Sequence, residues 1–433
     1  MNSLAEVTLW GKVIAAAVLD DDGIASFEYD AEFSKSGIQV APLCMPLSRR
    51  IYRFPELSRE TFYGLPGLLA DALPDKFGHA LINAWLAAQG REANSFNAIE
   101  RLCYTAERGM GALEFKPVLG PKMGQAQRVH IDQLAKLASQ VLNQRKDLLH
   151  SFDETHKQQA LTSILRVGTS AGGARAKAVI AWNRKTNEVR SGQVSTDAGF
   201  EHWLLKFDGV SGNRDKELDD PVGYGAIEYA YYRMALDCGI EMSECSLFEE
   251  NGRRHFMTKR FDRESTGEKK HLQSLCAIAH FDFNQAGAYS YEQAFLVMRR
   301  LNLSMREIEQ QFRRMVFNIV ARNQDDHVKN IAFLMNKSGQ WRLSPAFDMT
   351  YSYNPSGMWT AQHQMTLNGK REGFVLQDFK DCAKVISLKR GRAETIVTEV
   401  KKVVAGWRNY ADEVRVSTEL RDQIQQGLRL DSF

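Results

Sequence analysis

The feature that most constrains this chain is a polar loop set between two apolar segments near residue 325. Asp325 and Asn330 stand five residues apart within Asn323-Gln-Asp-Asp-His-Val-Lys-Asn330. The apolar run Phe312 to Val320 precedes this loop and predicts a helix, whereas the run Ile331 to Met335 follows it and predicts a strand. The chain therefore has to present a short polar turn at a junction between a helix and a strand.

A third polar residue, Asp348, follows Asn330 by eighteen residues within Ser344-Pro-Ala-Phe-Asp348. The spacing between Asp325 and Asn330 is that of a protein-kinase catalytic loop. Phosphoryl transfer to a hydroxyl requires a carboxylate that accepts the proton and oxygen ligands that hold Mg²⁺ on the nucleotide phosphates. We predict Asp325 as the base and Asn330 and Asp348 as the metal ligands. The adjacent Asp326 is the alternative base, which the spacing disfavours.

The bulk composition excludes several other classes of protein. At 433 residues the chain is long enough for two or three subdomains, and 56 basic against 53 acidic residues give a net charge of only +3. This balance gives no strong nucleic-acid or membrane signal. No run of 18 apolar residues predicts a membrane span, and none of the six cysteines forms a C-x-x-C pair. We predict a cytoplasmic location.

The order of the segments predicts an α+β, two-lobed protein-kinase-like fold. It has an extra N-terminal α/β subdomain over residues 1–115, a small lobe over 128–261 and a mostly helical catalytic lobe over 262–433. In the small lobe, two strands over Leu161 to Val167 and Ala176 to Asn183 flank a Gly-rich hairpin. A third strand, His202 to Phe207, and a helix, Gly223 to Gly239, follow.

The Gly-rich hairpin is the predicted phosphate loop. Gly168, Gly172 and Gly173 permit positive φ and let backbone N–H groups approach phosphate oxygens. Lys206 on the third strand is predicted to pair with the α- and β-phosphates, and Glu228 on the next helix is its candidate ion-pair partner.

Other predicted nucleotide contacts lie at a hinge and around the catalytic loop. Asp262, after the hinge, either caps the next segment or binds ribose, and His327 either orients the loop or contacts phosphate. No ligand role is predicted for the tryptophans. The residues predicted to contact the nucleotide are Gly172, Gly173, Ala174, Arg175, Ala176, Lys177, Lys206, Lys259, Arg260, Phe261, His327, Val328, Lys329, Asn330, Phe347 and Asp348.

Several motifs in one order resemble the HipA family of bacterial toxin kinases. Leu69-Ala-Asp-Ala-Leu-Pro-Asp-Lys-Phe-Gly78 resembles the N-terminal signature of that family, and Ser170-Ala-Gly-Gly-Ala-Arg-Ala-Lys177 resembles its Ser-loop. His202 to Lys206 resembles its lysine strand and Lys259 to Arg263 its hinge, and the loops ending at Asn330 and Asp348 resemble its catalytic segments. The segment His280 to Gln285 departs from the family pattern.

The resemblance implies a serine/threonine-protein kinase that uses ATP and Mg²⁺ as the toxin of a type II toxin–antitoxin system. It implies autophosphorylation at Ser170, with the neighbouring Thr169 as the alternative. It also implies a HipB-like antitoxin with a helix-turn-helix domain and repression of the operon through operator DNA. The protein targets of the family include an aminoacyl-tRNA synthetase, which is the candidate target here. Phosphorylation of that target would halt growth and promote persistence.

Two other functions remain open from the sequence. The first is a small-molecule phosphotransferase of the antibiotic-kinase type, which shares the Asp-to-Asn spacing but lacks the Ser-bearing loop and the subdomain over residues 1–115. The second is an inactive pseudokinase that acts only as a co-repressor, which the intact set of Lys206, Asp325, Asn330 and Asp348 disfavours.

Overall fold

The computed structural model describes residues 4–120, 126–143, 164–165, 167–168, 175–193, 199–210, 222–264 and 266–433. The chain divides into two compact units. The first comprises Met1–Val40, Met45–Gly225 and Ser246–Leu272, and the second comprises Ala41–Cys44, Ala226–Cys245 and Gln273–Phe433.

The first unit begins with an antiparallel sheet whose described strands have the order β3-β2-β1-β4. These strands are β1 (Leu4–Leu9), β2 (Lys12–Leu19), β3 (Ala25–Tyr29) and β4 (Leu113–Lys116). Trp10 and Gly11 join β1 to β2, and both have positive φ, as a two-residue hairpin turn that matches the strand twist requires. Alternate residues of β3 are buried, so that one face of the strand packs on the core.

Helices lie between β3 and β4 and after β4 in the first unit. Those described in the first unit are α1 (Arg59–Phe62), α2 (Gly67–Ala70), α3 (Lys76–Ala88), α4 (Ala98–Thr105) and α5 (Ile131–Asn143). Helix α3 begins where the Asp75 side chain accepts a hydrogen bond from the backbone N–H of Gly78 at 2.6 Å. Phe77, Leu81 and Leu86 recur at helical spacing and are buried, which turns one face of α3 towards the core.

A second sheet of the first unit carries the predicted lysine strand. Its described strands, in the order β6-β5-β7-β9-β8, are β5 (Lys177–Asn183), β6 (Glu188–Ser191), β7 (Glu201–Lys206), β8 (Cys245–Glu250) and β9 (Arg253–Lys259). Ile180, Trp203 and Leu205 join Leu81 in one hydrophobic cluster, so this sheet shares its core with α3. The antiparallel register of β5 and β7 places Lys177 directly opposite Lys206.

The second unit is mainly helical. Its described helices are α6 (Tyr224–Asp237), α7 (Leu275–Ala279), α8 (Tyr291–Arg300), α9 (Met305–Val320), α10 (Leu376–Val385), α11 (Arg392–Val404), α12 (Trp407–Glu413) and α13 (Thr418–Gly427). A small sheet has the order β10 (His271–Ser274), β11 (Ala332–Met335) and β12 (Trp341–Leu343). A capping box of Ser304 and Glu307 starts α9. The buried face of α9 packs against the core and so positions the loop that follows the helix.

One strand prediction is wrong. Residues 164–165 and 167–168 are helical, although the run Leu161 to Val167 was expected to be a strand. A short apolar run fits a buried helix as well as a buried strand, and packing decides between them. Residues 169–174 of the predicted hairpin lie outside the described residues. Within the described part of the chain, no helix has both the length and the apolar character needed to cross a membrane.

Candidate active site

The loop that carries the predicted base connects α9 to β11 in the second unit. Helix α9 ends at Val320, and a 3-10 turn over Val328–Asn330 leads into the strand. The Asn330 side-chain Nδ2 donates to the carbonyl oxygen of Asp325 at 2.8 Å. This bond closes the loop, and it leaves the amide oxygen of Asn330 as the atom that can ligate a cation.

The two adjacent aspartates of the loop lie in opposite environments. Asp326 is buried and accepts hydrogen bonds from the Tyr291 hydroxyl at 2.6 Å, from His363 Nδ1 at 2.8 Å and from the Gln364 backbone N–H at 2.7 Å. Burial alone would raise the pKa of Asp326, but these donors outweigh it and hold the pKa below its usual value. Asp326 is therefore an ionised anchor of the loop.

A chain of charged groups near the C-terminus supports this anchor. Arg429 donates to His363 Nε2 at 2.7 Å and to Glu372 at 2.8 Å. Arginine has no acceptor, so Nε2 of His363 has to accept, and the ring proton has to lie on Nδ1, which donates to Asp326. Burial lowers the pKa of Arg429, and the hydrogen bond to Glu372 opposes this shift. Each of the three hydrogen bonds that link Glu372, Arg429, His363 and Asp326 therefore joins one donor to one acceptor.

Asp325 differs from its neighbour in exposure. Its side chain is 27% exposed, and its Oδ1 accepts a hydrogen bond from Trp359 Nε1 at 2.7 Å. His327 Nε2 lies 3.7 Å from the same oxygen, which is beyond hydrogen-bond distance. A part-exposed carboxylate can receive a proton from a substrate, whereas both carboxylate oxygens of Asp326 already accept hydrogen bonds from the protein.

A small polar pocket lies beside the loop within the second unit. Asn330, Phe347 and Asp348 all contribute to its lining, together with Asp326 and His327 of the loop. Asp348 has a left-handed φ of 53°, which Asp tolerates better than most residues.

The pocket offers oxygen ligands of the kind that Mg²⁺ takes. Among the described residues no group of three or more His, Cys, Asp or Glu side chains could hold a metal ion. However, Mg²⁺ is usually held by one or two carboxylates together with substrate phosphates and water. Asn330 and Asp348 therefore fit an ion that is shared with a nucleotide.

Models of two protein domains match this chain. The model for the HipA-like C-terminal domain matches residues 169–407, and the model for the HipA N-terminal domain matches residues 5–116. The chain belongs to the HipA family.

One solved structure supports the fold of this chain. The complex of the Shewanella oneidensis MR-1 toxin–antitoxin system HipA, HipB and its operator DNA contains a chain that is similar with a TM-score of 0.69 and 15% identity. The similarity covers 98% of this chain and 94% of that chain, and it confirms the predicted α+β, kinase-like fold class. The Helicobacter pylori proinflammatory kinase CtkA has a TM-score of 0.39 at 14% identity, over 59% of this chain and 86% of its own.

A curated relative from Haemophilus influenzae matches a smaller part of the HipA-family chain. This protein, named "Putative kinase", is 25% identical over 134 residues, which cover 28% of this chain and 39% of the relative. The chain thus matches less than half the length of that relative.

In the first unit, two predicted nucleotide-binding lysines share one face of the sheet. Lys177 and Lys206 are direct partners across β5 and β7, and both are buried. The ammonium of Lys206 lies 5.6 Å from the ring centroid of Phe256, and that of Lys177 lies 3.9 Å from Asp75 Oδ2. Like charges opposite each other destabilise a strand pair, so the Asp75 carboxylate offsets an unfavourable arrangement.

The remaining loop and hinge residues have specific partners. The Arg175 guanidinium stacks over the Tyr224 ring at 3.9 Å, and the Ala176 carbonyl accepts from the Phe207 backbone N–H at 3.1 Å. Lys259 forms an ion pair with Glu201. The predicted residues Gly172, Gly173, Ala174 and Ser170, and the alternative Thr169, lie outside the described residues.

The hinge aspartate has no accessible oxygen for ribose. Asp262 is fully buried and accepts two hydrogen bonds from Arg260, one from Arg263 and one from the Gly111 N–H. Burial raises the pKa of Asp262, but the two guanidinium groups and the Gly111 N–H lower it by more, and it lies far below its usual value. Of the two roles open from the sequence, these contacts favour the structural one.

Several residues of the site were not found from the sequence. Trp359 contacts the predicted base, although no tryptophan was given a role. The Phe283 ring lies 5.6 Å from the His327 ring, and the Lys329 ammonium lies 4.7 Å from the Phe283 centroid. Phe283 could have been found, because the segment His280 to Gln285 departs from the family pattern. No feature of the sequence around Trp359 indicated a role for that residue.

Proposed function

We propose that this HipA-family chain is a serine/threonine-protein kinase toxin that uses ATP and Mg²⁺. The observation that carries the proposal is the division of roles within the loop. Asp326 is buried and accepts hydrogen bonds from three donors, whereas Asp325 is part-exposed. Asn330 and Asp348 line one polar pocket beside them. A base, two oxygen ligands and a rigid anchor are the parts that phosphoryl transfer to a hydroxyl needs.

In this proposal the chain contributes positioning and charge. Asp325 accepts the proton of the substrate hydroxyl as the hydroxyl oxygen forms a bond to the γ-phosphorus. The bond from that phosphorus to the β–γ bridging oxygen breaks, and ADP leaves. Mg²⁺ bound through Asn330 and Asp348 supplies charge neutralisation at the phosphates. Lys206 is proposed to bind the α- and β-phosphates, and Lys177 to bind phosphate beside it.

The proposed partners follow from the family and from the Shewanella complex. We propose a HipB-like helix-turn-helix antitoxin, operator DNA bound through it, and a protein substrate for which an aminoacyl-tRNA synthetase is the candidate. With a net charge of only +3 the chain itself is a weak candidate for direct DNA contact. Co-expression with the antitoxin should give a complex whose DNA affinity falls steeply with salt, whereas the chain alone should show little binding.

The test of the kinase activity is mass spectrometry of the purified chain after incubation with ATP and Mg²⁺. We expect one added phosphate in the peptide that contains Ser170 and Thr169. Asp325→Asn and Asp348→Asn should abolish it, and Asp21→Asn, at an exposed aspartate of the first unit, is the matched control. Phosphate in the Asp325 variant would refute its role as the base.

Two other outcomes would replace the proposal. Nucleotide binding without any transfer to the chain or to the protein target would indicate the co-repressor pseudokinase. Transfer to members of a panel of small alcohols, without protein phosphorylation, would indicate a small-molecule phosphotransferase.

A further inference from the structure

Trp359 makes a direct contact with the proposed base that the proposed function does not account for. Its indole Nε1 donates to Asp325 Oδ1 at 2.7 Å, and its ring lies 6.5 Å from that of His327. Within the described part of the chain, no hydrogen bond reaches the other carboxylate oxygen, Oδ2, of Asp325. One oxygen of the base is therefore held, and the other accepts no hydrogen bond from the described residues.

The segment around Trp359 is itself tied to the loop. Gln324 of the loop donates to the Thr360 carbonyl at 3.1 Å, and the Gln364 side chain donates to the Trp359 carbonyl. His363 and Gln364, a few residues later, donate to Asp326. One short segment therefore holds both aspartates of the loop, and its position is coupled to theirs.

A carboxylate needs such a donor in order to keep one orientation. The terminal torsion of Asp is broad, so a part-exposed carboxylate samples many rotations. An indole N–H is only a donor, and its bond to a carboxylate is charge-assisted and directional. The Asp325 side chain is only 27% exposed, so solvent reaches just part of the carboxylate.

We propose that Trp359 is a positioning residue that turns Asp325 so that Oδ2 meets the acceptor hydroxyl. This inference rests on the proposed kinase function. The proton moves from the hydroxyl to Oδ2 while Oδ1 stays bound to the indole. Trp359 touches neither nucleotide nor hydroxyl, and it acts on the rate of transfer through Asp325.

The test removes the N–H donor of the Trp359 indole. Trp359 is replaced by benzothienylalanine, in which sulfur takes the place of the N–H and the ring area is kept. The matched control is the same replacement at Trp407 of the second unit, which is buried and donates to the Arg421 carbonyl at 2.9 Å. The assay measures kcat and the KM for ATP with the wild-type protein as the reference, and thermal melting checks that each variant is folded.

At Trp359 we expect kcat to fall at least about ten-fold, because a misplaced base loses part of the ~10²- to ~10⁴-fold that general base catalysis supplies. The KM for ATP should stay within about two-fold, since the indole contacts a proton acceptor and not a phosphate site. The control at Trp407 should leave kcat unchanged.

The outcomes separate this inference from the function on which it rests. If the wild-type protein transfers phosphate and the replacement at Trp359 leaves kcat unchanged, the positioning role is wrong and the kinase function stands. An equal loss at Trp359 and Trp407 would also overturn it, because it would show a general effect of the lost hydrogen bond on the unit. If the wild-type protein transfers no phosphate, both the kinase function and the positioning role of Trp359 are refuted.

Discussion

Replacing Asp326 by asparagine should destabilise the second unit far more than the same replacement at Asp325. Asp326 accepts from Tyr291 and His363 at one oxygen and from the Gln364 N–H at the other. An asparagine has one acceptor oxygen and one NH₂ group, so in either orientation its NH₂ faces a fixed donor. His363 cannot relieve the conflict by changing tautomer, because its Nε2 has to accept from Arg429.

The size of the effect follows from this geometry. Losing a buried hydrogen bond to a charged group costs about 1.5–3 kcal/mol, and leaving a buried donor unpaired costs about 1–3 kcal/mol more, so the replacement should cost about 3–5 kcal/mol. At about 2–4 °C per kcal/mol for a unit of this size, even the lower figure corresponds to a fall in melting temperature of about 6–12 °C. Asp325→Asn keeps an acceptor oxygen for Trp359 Nε1 and loses only the negative charge at a part-exposed site, so its melting temperature should change by no more than about 4 °C.

Thermal melting of the two variants, followed by circular dichroism, is the assay. The pH dependence gives a second measurement. Because the folded pKa of Asp326 lies below its usual value, its stabilising effect is complete above about pH 4 and is lost as the pH falls through the lower folded value. The difference in melting temperature between wild type and Asp326→Asn should therefore narrow below about pH 4. Equal melting temperatures for the two variants at neutral pH would refute this account of the loop.

Three further predictions concern the first unit. Burial lowers the pKa of His255 to about 4, and the neutral Nδ1 accepts a hydrogen bond from the Asp208 N–H, so the stability that the neutral ring provides should be lost as the pH falls below about 6.5. The melting temperature of His255→Asn should therefore depend less on pH between about pH 6.5 and 4.5 than that of the wild type, and an equal pH dependence would contradict this. Asp262→Asn should lower the free energy of unfolding in urea by about 3–5 kcal/mol because Arg260 stays buried without its counter-ion, and a loss below about 1 kcal/mol would argue against a structural role. Lys206→Met should weaken ATP binding at least about ten-fold in calorimetry, and unchanged affinity would exclude Lys206 from the phosphate site.

Local patterns in the sequence were sufficient to predict most of the regular elements. The run Phe312 to Val320 before the polar loop predicted α9, and the runs Ala176 to Asn183 and His202 to Phe207 predicted β5 and β7. These predictions succeeded because side-chain periodicity reflects a geometry that a few consecutive residues determine. The same reasoning failed within the run Leu161 to Val167, which has no periodicity of its own and whose described residues, 164–165 and 167, are helical.

The sequence by itself determined the spacing of Asp325, Asn330 and Asp348, and with it the kind of chemistry that the loop can support. Only the tertiary structure distinguished Asp325 from Asp326. Their chemistry is the same, and the groups that separate them come from distant positions: Tyr291 is 35 residues away from Asp326 and His363 is 37 residues away. The burial and the donors around a carboxylate depend on such long-range contacts, which no local pattern encodes.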